Sequence, residues 1–110
     1  MKGNVLMLSL VGVALLAMTA CRDRYQKISL PNDRLVPLLC DIHISEAALQ
    51  QVNGSLKDSL NEVYLTQICT IHQISRERLD EVLGELRNNP DAMKKAYAEV
   101  AQMLEQRRSE

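Results

Sequence analysis

Ser75-Arg76-Glu77-Arg78-Leu79-Asp80-Glu81-Val82-Leu83-Gly84-Glu85-Leu86 decides the fold. Its apolar residues Leu79, Val82, Leu83 and Leu86 recur at i, i+3, i+4 and i+7, the spacing of a single helix face. Ser75 stands where an N-cap belongs. Glu77, Asp80 and Glu81 fill the first turns, where the positive end of the helix dipole favours acids. The segment is a helix, and no alternating β-branched run elsewhere in the chain competes with that period.

Toward the C-terminus, Asn88-Asn89-Pro90 breaks the chain, with Asn89 as cap and Pro90 in the first helical position. A further helix then carries Met93, Ala96, Tyr97, Val100, Met103 and Leu104 on one side and frays at Arg107-Arg108-Ser109-Glu110. Toward the N-terminus, a helix from about Leu56 to Gln73 turns Leu56, Leu60, Val63, Tyr64, Ile68 and Ile71 inward. Another, from about Arg34 to Val52, does the same with Leu35, Leu38, Leu39, Ile42, Leu49 and Val52. Asn53-Gly54 is a left-handed stop between them, so the two form an antiparallel hairpin. Asn32 or Asp33 caps the first helix, and Pro37 falls within its early turns. The spacing predicts an all-α four-helix bundle of two helical hairpins over residues 33–110.

Ahead of this domain lies an address. Lys2 precedes an apolar run from Val5 to Ala17, and Met18-Thr19-Ala20 leads into Cys21. The layout is that of a cleaved signal peptide over residues 1–20, too short for a comfortable membrane span. An ending in Ala-Cys resembles the bacterial lipoprotein box. That resemblance implies a diacylglycerol on the Cys21 thiol and an acyl chain on its amino group. Several acyl chains hold a domain firmly where a single one holds it marginally. Residues 22–32 lack apolar periodicity and read as a tether. The location implied is the bacterial cell envelope. Arg22 is not the Asp that usually marks inner-membrane retention, which points to the periplasmic face of the outer membrane.

Composition narrows the function classes. The 110-residue chain has a formal net charge of −1, and loss of Lys2 with the leader adds one negative charge. Neither nucleic acid nor an anionic lipid surface finds an electrostatic partner in such a balance. Phe and Trp are absent and three tyrosines remain, which leaves no base-stacking platform.

Three pieces in order, Pro31 to Leu39, Asp41-Ile42-His43-Ile44-Ser45-Glu46-Ala47, and Ile74-Ser75-Arg76-Glu77 with Asn89-Pro90, Tyr97 and Val100, resemble a domain-of-unknown-function family of short bacterial lipoproteins. Leu79 and Leu86 stand where that family tends to carry aromatics. The resemblance implies a helical fold and an envelope location, and it brings no activity, substrate or catalytic residue.

Among polar residues Glu46 stands out, because the helical period places it within about 40° of Leu35, Leu39 and Ile42. A carboxylate on that face needs a partner, and Gln67, Tyr64 or Tyr97 would serve. The pair either fixes helix register or lines an interhelical ligand pocket. His43 shares a side with Glu46, whereas Asp41 points away and His72 sits on the outer face. One histidine and one convergent acid are too few for a metal, so none is expected. Neither a nucleophile–base pair nor paired carboxylates appear, and the chain reads as non-enzymatic.

Cys40 and Cys69 fall at one level of the hairpin. An oxidising compartment favours a disulfide between them, but both project away from the main stripes, and the pairing stays open. Val36, Cys40, Ile44 and Ala47 make a second stripe, read as a docking surface for another envelope protein or a second copy.

Overall fold

A computed structural model describes residues 27–110. The segment read as a signal peptide, Cys21 and the first part of the expected tether lie outside the described residues. Four helices follow one another: α1 (Asn32–Leu49), α2 (Ser55–Ile71), α3 (Arg76–Arg87) and α4 (Pro90–Ser109). Among the described residues there is no strand, and the chain is the small all-α four-helix bundle that its periodicity predicts. α1 packs against α2 and α4, and α3 against α4 and α2.

The second half of the bundle follows its sequence closely. Ser75 Oγ accepts from the Arg78 N–H at 3.1 Å, and Asn89 Oδ1 accepts from the Ala92 N–H at 3.2 Å. Leu79, Val82 and Leu86 are buried, with Leu83 packed beside them. On α4, Ala96 and Val100 are buried, with Met93, Met103 and Leu104 against the same core, whereas Tyr97, expected on that side, stays 39% exposed. The end of α4 does not fray at Arg107, because Arg107 Nη1 donates to Asp41 Oδ1 at 3.1 Å.

The first half departs in its details. α1 starts after Pro31, whose carbonyl accepts from Arg34 and Leu35 at 3.0 and 2.8 Å, with no side-chain cap. Asn32 therefore lies inside the helix, and its amide donates to Glu99 of α4. Pro37 is also internal; it forgoes one backbone bond while the helix runs on. The segment read as a tether is docked from Ile28 onward. Leu30 is buried, Ile28 packs on the core, and the Ser29 backbone and hydroxyl both donate to Glu85.

α2 presents a different face from the one expected. Ile68 is buried as expected, but Cys69 is buried beside it and Leu65 packs on the core, whereas Leu56, Val63 and Ile71 remain 60%, 49% and 69% exposed. This helix has two apolar faces, and its flanking turns set which one meets α1 and α3. Gly54 enters with φ +70° and Gln73 leaves with φ +51°. The Gln73 N–H donates to the Thr70 carbonyl and the Ile74 N–H to the Cys69 carbonyl. That pair of bonds is a Schellman stop, with Ile74 as its apolar contact to the core.

Candidate functional site

Between α1 and α2 runs an apolar groove of about 330 Å³. Asp41, Ile44, Ser45 and Ala48 line it from α1, and Tyr64, Gln67, Ile68 and Ile71 from α2. The Ser45 hydroxyl is spent on the Ile42 carbonyl at 2.7 Å, so it adds little polarity. Ile44 is 45% exposed, and with Val63 and Ile71 it extends the apolar surface over the hairpin. A larger cleft, about 810 Å³ between Lys27–Ser29 and the turn from α3 to α4, mixes charged and amide side chains with apolar surface. Glu85 in that cleft is already held by Ser29.

One end of the groove is closed by a polar node that the sequence reading separated. Asp41 Oδ2 accepts from His72 Nε2 at 2.7 Å, and its other oxygen accepts from Arg107. The His72 carbonyl at the end of α2 accepts from Arg34 Nη2 at 2.9 Å. Asp41 thus ties α1 to the C-terminal ends of α2 and α4, and its hydrogen bond raises the already high pKa of Arg107. His72 is half-buried rather than outward-facing. In an antiparallel hairpin that levels Cys40 with Cys69, Asp41 and His72 fall within about one turn of each other.

The predicted site residues scatter. Glu46 is exposed, not buried, and lines none of the grooves described. Buried positions on α1 fall between Leu35 and Ile42 and resume only at Leu49, and between them every residue except Ser45 is exposed. Periodicity gives the apolar side of a helix but not how far its neighbours reach along it. Glu46 does lie near Tyr97, whose hydroxyl pKa is pushed up by burial first and by the Glu46 charge second. His43 is likewise exposed. Tyr64 and Gln67 come together in the apolar groove, without Glu46.

The expected docking stripe also divides. Val36 and Cys40 belong to the buried core, whereas Ile44 and Ala47 are exposed. The exposed apolar surface continues onto α2 instead. Cys40 and Cys69 are buried free thiols. Burial pushes the Cys40 thiol up, with Arg107 acting in the opposite direction. Among the described residues no three His, Cys, Asp or Glu side chains group as metal ligands. No described helix is long and apolar enough to cross a membrane.

One family model matches residues 27–110, that of a domain of unknown function (DUF4296). Its start coincides with the segment docked at Ile28. No curated protein and no solved structure matches the chain.

Proposed function

The chain belongs to the DUF4296 family, and from that premise we propose that it is a lipid-anchored, non-enzymatic interaction module of the bacterial cell envelope. The anchor is Cys21, with a diacylglycerol on its thiol and an acyl chain on its amino group. The leader and its Ala20-Cys21 junction support this reading, as does the outer-membrane sorting inferred from Arg22. Chains on both groups make dissociation from the bilayer negligible. The helical domain works at the periplasmic surface, and its partners are proteins rather than nucleic acid.

The observation that carries the interaction role is the apolar surface left open on the α1–α2 hairpin. Ile44, Leu56, Val63 and Ile71 of the hairpin are 45%, 60%, 49% and 69% exposed, and Ile44 and Ile71 line the groove itself. Contiguous apolar surface marks interaction sites more than scattered residues do. A carrier reading built on Glu46 loses its ground, since that carboxylate is exposed.

Affinity purification from mildly cross-linked envelopes, beside an Ile44→Glu variant, tests the role. A stoichiometric protein captured by the native chain and lost in the variant is the expected result. Identical captures containing only abundant envelope proteins would reject it.

A further inference from the structure

Deepening the interaction-module reading, and resting on it, we infer that the open face of α2 is occupied by a second copy of this chain, the two α2 helices packing antiparallel about a twofold axis at Val63. The first ground is the pattern. Leu65, Ile68 and Cys69 already face the core. Leu56, Leu60, Val63, Gln67 and Ile71 recur at i, i+4, i+7, i+11 and i+15, a second stripe along the whole helix. At 1.5 Å per residue, α2 is about 25 Å long, enough for a sustained helix–helix seam.

The second ground is self-complementarity. Reversed on itself, the stripe sets Leu56 opposite Ile71 and Leu60 opposite Gln67, with Val63 meeting its own copy. Such a surface fulfils the requirement of an isologous interface, in which one patch must fit itself. The groove beside Gln67 and Ile71 then receives Leu60 of the second copy as a knob between α1 and α2.

The third ground is charge. Lys57, Asp58 and Glu62 are the charged residues of α2, and none lies on the stripe. A parallel pair would hold the two Lys57 side chains at one level of the seam. The antiparallel pair keeps the two Lys57 side chains at opposite ends of the seam. It also opposes the two helix dipoles.

Cysteine cross-linking of the full chain in its membranes with a short bis-maleimide tests this arrangement. The unsubstituted chain sets the background, its Cys40 and Cys69 being buried. Val63→Cys is expected to give a strong band at twice the chain mass. Leu56→Cys alone should stay at background, and Leu56→Cys co-produced with Ile71→Cys should restore the dimer. A Leu56→Cys dimer as strong as that at Val63 would overturn the antiparallel arrangement. Adducts at Val63→Cys with a different protein would overturn the second copy while upholding the interaction module. If Val63→Cys gives no adduct and the Ile44→Glu capture is unchanged, both readings fall together.

Discussion

His72 Nε2 donates to Asp41 Oδ2 across 2.7 Å and pins the C-terminal end of α2 to the middle of α1. Both side chains are partly shielded, at 28% exposure for Asp41 and 17% for His72. Arg107 joins from α4, so one carboxylate serves three helices. Asp41→Ala strands both donors, and the expected loss is about 1–2 kcal/mol in urea unfolding. Arg107→Ala should cost less, about 0.5 kcal/mol, because that guanidinium is more exposed. Equal losses in the two variants would show that His72 does not depend on Asp41.

Gln73 terminates α2 in the left-handed region, at φ +51°. A non-glycine residue there costs roughly 1–2 kcal/mol, part of which glycine returns as unfolded-state entropy. Gln73→Gly is therefore expected to stabilise the domain by roughly 0.5–1 kcal/mol and raise Tm by several degrees. A lowered Tm would mean that the Gln73 side chain contributes more than its backbone strain costs.

Hydrogen bonds from the Ser29 hydroxyl and N–H, with Arg78 nearby, hold the Glu85 carboxyl below its ordinary pKa. The folded state thus favours the carboxylate. Its contribution is complete above the ordinary carboxylate range and fades as pH falls through the lowered folded value. Ser29→Ala should move the Glu85 titration upward and shrink the extra stability seen near pH 7 relative to about pH 3. Carboxyl NMR titration and urea melts at both pH values read this out. A Glu85 titration that does not move in Ser29→Ala would show that the Ser29 hydroxyl does not hold that carboxylate.

Glu46→Leu separates the sequence expectation from the structure. A buried carboxylate replaced by leucine changes stability by several kcal/mol in one direction or the other. An exposed one changes it by no more than about 0.5 kcal/mol. The structure leads to the small value and to a downward shift of the Tyr97 titration, since the Glu46 charge is removed.

What the sequence revealed and what it hid divide along physical lines. α3 and α4 were legible because each has one apolar stripe and a side chain that caps its start, Ser75 and Asn89. α2 carries two apolar faces, and a single period cannot choose between them. The choice belongs to turns whose bends come from Gly54 and, unexpectedly, from a glutamine at position 73. Glu46 misled for a related reason: its angle on α1 was right, but α1 lacks cover at its level. The groove residues Tyr64 and Gln67 were found through the wrong partner. Asp41 and His72 were missed because each was placed on its own helix by angle, without the hairpin level that brings them together.

The interaction role requires that the face of α2 bearing Leu56, Val63 and Ile71 lie outside the core and dock a protein. Val63→Glu, followed by thermal unfolding and by capture from cross-linked envelopes, tests both halves at once. The prediction is a chain that still folds, with Tm within a few degrees of the native protein, and that loses its cross-linked partner. An unfolded variant would place Val63 in the core, and a folded variant with its capture intact would leave the face without a docking role.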